Sequence, residues 1–379
     1  MFLLGLLLGF TSFAQAQYGP GVTAAPILQV PLGSRALGMG GAFTAISNDA
    51  SALYYNPAGL SRLNSQEVDA TFMGGLVDNS YEDFDYAAPI SFKGIFGNGD
   101  ASIGASLVVS QNGIINVNNT NPDGSFQSSQ SLNAGSDIVA RVGYSERLAK
   151  GSLDLGDYEH RVNQFIGVEG EYIHSSLVQA YSAQTFSGSV GYLADIPDEG
   201  ISLGLSANNI GGSLNYGSYA DPIPTILRAG IAYQGNVPDG DNYTLSADSI
   251  YIAQERMVSM DAGAEYDMMD IVAFRAGYQF IQTSMGITAG FGLHWKSRIY
   301  LDYAWALATN GFNDLQRVTL SYRFGGEIRP GESNKKKLRE GAGGNVSPLQ
   351  NLEEQPIITN PAATPQNPKS NILPGWMIY

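Results

Sequence analysis

The last regular stretch of the chain alternates strictly between apolar and polar residues. In RVTLSYRF (317–324), Val318, Leu320, Tyr322 and Phe324 share one face, because successive side chains of an extended strand point to opposite sides. The same period recurs in several earlier stretches, which include LRAGIAY (227–233), FRAGYQF (274–280), ITAGFGLHW (287–295) and IYLDYAWAL (299–307). The pattern predicts strands with one apolar and one polar face.

The number and spacing of these segments indicate a barrel. About 14 of them lie between residues 66 and 324, each occupying about 18 residues with its turn, which suits a membrane β-barrel. Short turns such as GNGD (97–100) and PDEG (197–200) alternate with longer polar loops such as 112–133. Barrels of the outer membrane have this asymmetry, with short turns at one rim and long loops at the other.

A soluble β-sandwich would show the same alternation, so the composition of the two faces has to decide. The apolar face is diluted by alanine and glycine and carries tyrosine and tryptophan near strand ends, as an aromatic girdle would. Charges on the other face are costly in a dry core and tolerated in a wet lumen. We therefore predict an all-β, transmembrane antiparallel barrel of about 14 strands. The charges expected to line its lumen are Arg141, Glu169, Glu171, Arg228, Arg275, Asp302 and Arg323.

Composition and the N-terminal sequence indicate the class of protein and its cellular location. Only 15% of the 379 residues are charged, against about 25% in typical soluble domains, and the net charge of −15 argues against a nucleic-acid partner. The apolar run from Phe2 to Phe10 is followed by Ala14-Gln15-Ala16, a small-x-small motif that predicts signal cleavage before Gln17. We expect a barrel in the outer membrane, surrounded by its lipid.

Composition divides the chain into four predicted regions. They are a signal peptide (1–16), an N-terminal hatch or plug (17–64), the outer-membrane β-barrel (65–325) and a disordered tail (326–379) rich in Pro and Asn. The ends of such barrels lie on the inner side of the membrane, so the tail is expected in the periplasm.

Residues 17–64 are the candidate functional region, because they are rich in glycine and alanine and lack the strand period. Small residues allow close backbone contact, so the segment can fold compactly inside a lumen. The alternative is an arm packed against the first strand. The candidate hatch or gating residues are Arg35, Gly38, Gly40, Gly41, Asn48, Asp49, Asn56, Pro57 and Ala58.

Enzymatic and metal chemistry find no support in the sequence. The three histidines, at positions 160, 174 and 294, lie in separate segments without the short spacings of metal ligands. No serine lies in a nucleophile elbow. We expect no catalytic residues, no cofactor and no metal site.

Several motifs carry a family resemblance. LGSRALGMGGAFTAISNDASALYYNPAGL (32–60) resembles the opening of the PorV/PorQ (UPF0164) family, a branch of the FadL-like outer-membrane proteins. NNIGGSLNY (208–216), GAEYDMMDIVAFRAGYQF (263–280) and LQRVTLSYRFG (315–325) extend the match. The resemblance implies a 14-stranded barrel whose hatch contains Asn56, Pro57 and Ala58, with Arg35 and Asp49 as polar latches.

The end of the last strand, Tyr322-Arg323-Phe324, resembles the C-terminal signal that the barrel assembly machinery reads. We expect Tyr322 and Phe324 to serve in assembly.

The resemblance leaves two functions open. One is a type IX secretion-associated carrier or anchor of exported proteins, with secretion components and cargo proteins as partners. The other is a FadL-like channel for the uptake of hydrophobic small molecules. Gly33-Ser34-Arg35-Ala36-Leu37-Gly38 departs from the typical PorV opening, which favours the second function, whereas the overall family match favours the first.

Overall fold

The computed structural model describes residues 21–325 except for 75–78, 93, 98, 155–158, 179, 218, 238–240, 281–284 and 309–313. The predicted signal peptide (1–16) and tail (326–379) lie outside the described residues.

Fourteen antiparallel strands close into a barrel, as the alternation predicted. They are β1 (Gln66–Gly74), β2 (Ser80–Ile90), β3 (Ala101–Gln111), β6 (Gly135–Asp154), β7 (Glu159–Leu177), β8 (Tyr181–Ile196), β9 (Ile201–Ile210), β12 (Ile226–Asn236), β13 (Asn242–Ile252), β14 (Met257–Met268), β15 (Val272–Phe280), β16 (Met285–Trp295), β17 (Ile299–Ala308) and β18 (Leu315–Phe324). Neighbouring barrel strands follow one another along the chain, and β18 closes onto β1 with Gln66 opposite Phe324. Closure leaves no strand edge unpaired, which is what a lipid environment demands of β-structure.

Two further hairpins stand outside the barrel sheet: β4 (Ile114–Thr120) with β5 (Phe126–Asn133), and β10 (Ser213–Asn215) with β11 (Ala220–Pro222). The interpretation of 112–133 as a loop was therefore wrong. Nearly all residues of β4 and β5 are exposed on both faces, so this ribbon has no apolar side and its sequence shows no strand period.

The outer face of the barrel is apolar. Leu205, Leu227, Phe291 and Leu301 point away from the interior, each with 41–55% of its surface exposed, and they alternate along their strands with buried polar residues. An apolar belt on a closed barrel matches the hydrocarbon of a bilayer. The chain is thus a transmembrane β-barrel. Among the described residues, the helices are too short and too polar for one to cross a membrane.

The N-terminal segment lies inside the barrel. It contains a 3₁₀ turn (Pro26–Gln29), helix α1 (Ser34–Gly38), helix α2 (Ala52–Tyr55) and a second 3₁₀ turn (Pro57–Arg62). Most side chains between residues 25 and 62 are buried, and several join one apolar core with inward wall residues such as Val108 and Ile173. We call residues 24–62 the plug.

The plug crosses the barrel from rim to rim. At one end, Ala24 N donates to Pro222 O in β11 (2.9 Å) and Thr23 Oγ1 donates to Glu255 (2.6 Å). Both partners lie at the rim that also carries the β4–β5 hairpin, which we call the loop rim. At the other end, the plug runs into the start of β1. That opposite rim, which holds the turns 197–200, 269–271 and 296–298, is the turn rim.

The destabilisation caused by a new charge on the outer face should depend on how deep in the membrane the residue lies. Leu205 lies midway along β9, so Leu205→Arg should lower the free energy of unfolding by about 2–4 kcal/mol, the cost of arginine at the bilayer midplane. Ile210→Arg, at the end of the same strand, should cost only about 0–1 kcal/mol. Unfolding titrations in lipid vesicles measure both. Equal costs at the two depths would contradict a membrane belt on this face.

Candidate functional site

The barrel wall meets the plug through glycine. Nine inward-facing glycines on successive stretches of the wall lie against plug atoms: Gly104, Gly143, Gly167, Gly191, Gly204, Gly230, Gly263, Gly277 and Gly290. At most of these glycines a side chain would collide with the plug main chain, and at Gly104 and Gly143 it would collide with the side chains of Leu53 or Leu60. The wall and the plug are therefore matched in shape along the whole path of the plug.

Most of these glycines are directly opposite one another on paired strands. The pairs are Gly104 with Gly143, Gly167 with Gly191, Gly204 with Gly230, and Gly263 with Gly277. The sequence analysis counted glycine as diluting the apolar face, and for these residues that was wrong. The strand period places Gly277, for example, on the inward face with Arg275 and Gln279.

The contact is close at the glycines that follow helix α1. A Cβ on Gly277 would lie 2.2 Å from Gly40 N, and a Cβ on Gly263 would lie 2.3 Å from Met39 O. Gly40 and Gly41 have φ of +69° and +87°, a region that side chains disfavour. The predicted hatch glycines 38, 40 and 41 thus lie at the plug–wall contact, with Gly38 against Gly290.

Asn56 fixes the second half of the plug. Its fully buried side chain donates to Thr44 O (3.1 Å) within the plug and to Tyr192 O (3.1 Å) in the wall. Its Oδ1 accepts from Ala58 N (3.2 Å) and caps the 3₁₀ turn that begins at Pro57. The NPA motif therefore joins two parts of the plug to β8.

An ionic cluster anchors helix α1. Arg35 donates to both oxygens of Glu265 (2.9 Å each), and Arg275 donates to Glu265 Oε2 (2.7 Å) and to Asp302. Asp49 Oδ2 lies 3.4 Å from Arg35 Nη1. We call these five residues the ionic cluster.

Arg35 has a further contact in the plug, because its Nη1 donates to Asn48 Oδ1 (2.7 Å). An arginine guanidinium stays protonated in proteins. The plug is thus tied to the wall by a group that stays charged.

A second set of charges surrounds helix α2. Arg141 Nε lies 2.7 Å from Glu171 and 3.5 Å from Glu169. The guanidinium groups of Arg141 and Arg228 lie 5.7 and 4.9 Å from the centre of the Tyr54 ring. Such cation–π contacts strengthen when they are desolvated.

Charged side chains also hold the chain just before α1 and the start of the barrel. The fully buried Arg317 donates to Pro31 O and to Gly33 O (3.3 Å). Near the turn rim, Arg323 donates to Glu67 (2.7 Å) and to the Tyr300 hydroxyl (2.9 Å). Arg323 is thus paired with the first strand of the barrel.

The inward charges therefore differ from the expected isolated groups in a wet lumen. Of the seven predicted positions, all but Arg323 are buried, because the plug takes the place of water. Sequence reasoning did not single out Glu265 or Arg317, although the alternation places both on the polar face of their strands.

A cavity of about 600 Å³ opens below the plug at the turn rim. Its lining is mostly polar and includes Arg35, Asp49, Glu265, Asp302 and Arg323. The ionic cluster is therefore reached from the turn rim.

Comparison with known proteins supports the family. The model of the family described as "Uncharacterised protein family (UPF0164)" matches residues 10–104, which confirms the resemblance carried by the motif at residues 32–60. A search of curated proteins found no match.

Solved structures with a similar course of the chain include two transporters and a FadL homologue. They are the toluene transporter TbuX of Ralstonia pickettii (13% identity, 78% of this chain and 98% of that chain, TM-score 0.47), the toluene transporter TodX of P. putida (12%, 77% and 98%, 0.46) and a FadL homologue of Pseudomonas aeruginosa (12%, 79% and 99%, 0.39). Likeness at this level does not indicate what this chain binds or carries.

Because the wall glycines lie so close to the plug, adding one methyl group to such a glycine should displace the plug. Gly277→Ala places a Cβ against Gly40 N, so the plug has to shift, at a cost of about 1–3 kcal/mol for overpacking. Limited proteolysis of the folded barrel should then cleave within residues 24–62 faster than in the wild type. Gly170→Ala is the control, because its Cβ would meet no atom within 4 Å. Unchanged cleavage in Gly277→Ala would show that the plug is not held by this contact.

Removing the central carboxylate of the ionic cluster should destabilise the plug. Glu265→Gln leaves Arg35 and Arg275 with only Asp49 and Asp302 as charged partners, and breaking a buried pair costs about 3–5 kcal/mol. We expect a clear fall in the unfolding midpoint in denaturant. Asp221→Asn, at an exposed position in β11, should leave the midpoint unchanged. Equal midpoints for the two variants would refute a stabilising cluster.

Proposed function

We propose that this protein is a closed outer-membrane barrel that serves protein export, as a type IX secretion-associated carrier or anchor of exported proteins. In this proposal the barrel works through the surfaces at its two rims. The observation that carries it is the plug, which crosses the interior between the two rims and lies against wall glycines along its course. A lumen filled in this way supports a binding role better than passage of solutes.

The energetics of opening favour a closed state. Moving the plug breaks the contact of Arg35 with Glu265, and a buried pair of this kind is worth about 3–5 kcal/mol when one partner is lost. The hydrogen bond from Asn56 in the plug to Tyr192 O in the wall adds about 0.5–1.5 kcal/mol. Together these two contacts come to about 3.5–6.5 kcal/mol, which is comparable to the roughly 5.5 kcal/mol of differential affinity that takes a two-state equilibrium from 1:99 to 99:1. A ligand that opened the plug would have to prefer the open state by at least that amount.

The loop rim offers surfaces for protein contacts. The β4–β5 hairpin exposes Ile114 (73%) and Phe126 (66%), and Tyr219, between β10 and β11, is 84% exposed. Exposed apolar groups of this kind are typical of interaction sites. Barrels place long loops outside the cell, so this rim would meet exported proteins and secretion components.

The remaining predictions on location and assembly belong to the same proposal. The turn rim and the tail would face the periplasm. The aromatic end of β18, where the Tyr322 and Phe324 rings stack at 5.7 Å, would be read by the barrel assembly machinery.

A FadL-like channel for hydrophobic small molecules is the second candidate. It is favoured by the cavity at the turn rim, which reaches Arg35 and Glu265 at the end of the plug. Under this alternative the plug has to move during transport.

A disulfide lock separates the two functions. The hydroxyl oxygens of Ser34 in the plug and Thr319 in the wall lie 2.8 Å apart, so a cysteine pair at these positions can form a bond about 2.05 Å long. The natural chain has no cysteine. In cells carrying Ser34→Cys/Thr319→Cys, we expect surface display of exported proteins to be the same with and without a reductant.

The matched control ties the wall to itself. Thr71 and Thr319 also have oxygens 2.8 Å apart, on the paired strands β1 and β18, so Thr71→Cys/Thr319→Cys adds a disulfide without holding the plug. Uptake of radiolabelled toluene that stops only in the plug-locked variant and returns on reduction would establish the channel instead. Loss of surface display in both disulfide variants would indicate damage to the barrel.

A further inference from the structure

Two carboxylates and an imidazole meet at the turn rim. Asp267 lies near the end of β14, Asp270 in the following turn, and His294 near the end of β16. His294 Nδ1 is 3.2 Å from Asp270 Oδ1 and 3.5 Å from Asp267 Oδ2. The backbone bond from His294 N to Ile271 O (2.8 Å) holds the two elements together.

The separations fit a shared cation better than a hydrogen bond. Charge-assisted N–H···O bonds are about 2.7–2.9 Å long, so both contacts of Nδ1 are long. Ligand atoms about 2.0–2.1 Å from a tetrahedral zinc ion lie about 3.3–3.4 Å apart, and the two measured separations bracket that value. When the neutral imidazole carries its proton on Nε2, Nδ1 and the two carboxylate oxygens are all acceptors, and a cation is what can join them.

The other oxygen of each carboxylate is already engaged. Asp270 N donates to Asp267 Oδ1 (3.0 Å), and Ser297 Oγ donates to Asp270 Oδ2 (2.5 Å). Both carboxylates are therefore oriented with one free oxygen toward His294. Hydrogen bonds of this kind orient the ligands in metal sites.

His294 is buried but reachable from the cavity. Its side chain is only 5% exposed, and its Nε2 is buried without a hydrogen-bond partner among the residues that the structure describes. The proton can therefore reside on Nε2 without breaking another bond, which leaves the Nδ1 lone pair for a metal. All three residues line the cavity at the turn rim, which gives an ion its entry.

Three of the neighbouring cations have other partners; Arg298 also lines the cavity. Lys296 Nζ lies 5.9 Å from the centre of the Trp295 ring, and Arg323 is paired with Glu67. Arg275, on the strand between the two elements, is paired with Glu265 and Asp302. The carboxylates of Asp267 and Asp270 are therefore not taken up by these three cations.

The geometry points to a divalent transition-metal site formed by His294 Nδ1, Asp267 and Asp270, with Zn²⁺ as the ion that suits one imidazole and two carboxylates. A bound ion would join the β14–β15 and β16–β17 turns. Spacing along the chain did not predict this site, because the ligands come from two hairpins and meet only across β15.

Zinc binding by the whole protein tests the site. The full chain, folded in detergent and stripped with EDTA, should bind one Zn²⁺ in calorimetric titration, and His294→Ala should weaken that binding by about 100-fold, a loss at the upper end of the effects seen when metal sites are altered. His160→Ala and His174→Ala are the matched controls. His160 Nδ1 lies 3.1 Å from Glu199, so its variant excludes that pair as the binding site.

If His294→Ala does not fold, zinc binding can be tested with a second variant and by locating the ion directly. Asp270→Asn preserves the size of the side chain and should still weaken zinc binding by at least about tenfold. Anomalous diffraction at the zinc edge should place the ion about 2.0–2.2 Å from His294 Nδ1 and both carboxylates. No binding by the wild type, undiminished binding in either variant, or an ion elsewhere would overturn the site.

Discussion

The rest of the structure depends on main-chain contact between the plug and the barrel wall. Where Gly277 faces Gly40 and Gly263 faces Met39, there is no space for even one Cβ. This contact requires glycine on the inward face of successive strands, and it removes water from most of the interior. The outer face of each strand meets lipid while its inner face packs as a soluble core does. Because side chains alternate along each strand, one set meets lipid and the other set packs against the plug.

Because water is excluded from most of the interior, the charged side chains that point inward need partners within the protein. A buried charge needs a partner, and most of these partners come from the plug or from an adjacent strand. Asp248 accepts from Phe43 N and Thr44 N (2.9 and 2.8 Å), and Arg317 donates to two plug carbonyl groups. Because the plug contains little regular secondary structure, many of its main-chain N–H and C=O groups have no partner within the plug. Side chains of the wall therefore supply hydrogen-bond partners for them. Shape and charge are matched along the same path.

The alternation in the sequence predicted the barrel because every strand has lipid on one side and a polar interior on the other. Each strand therefore shows the same pattern of apolar residues outward and polar residues inward. The alternation could not reveal the β4–β5 hairpin, whose two faces meet the same solvent. Glycine composition indicated that the N-terminal segment was compact, but the partners of Arg35 and Asn56 were hidden. Glu265 is 230 residues from Arg35, and Tyr192 is 136 from Asn56. Such pairs follow from closure of the barrel, not from any local pattern.

The arrangement of the plug bears on how the barrel can work. A gate held by one latch opens when that latch breaks, but this plug is held by an apolar core, the ionic cluster and glycine contacts that run from β3 to β16. These contacts are spread over most of the wall, so loosening one leaves the others in place. Motion of the whole segment would require their simultaneous loss together with hydration of the buried arginines. A barrel built in this way keeps its interior constant, and under the proposed function the hairpins and turns at its rims would determine what it binds.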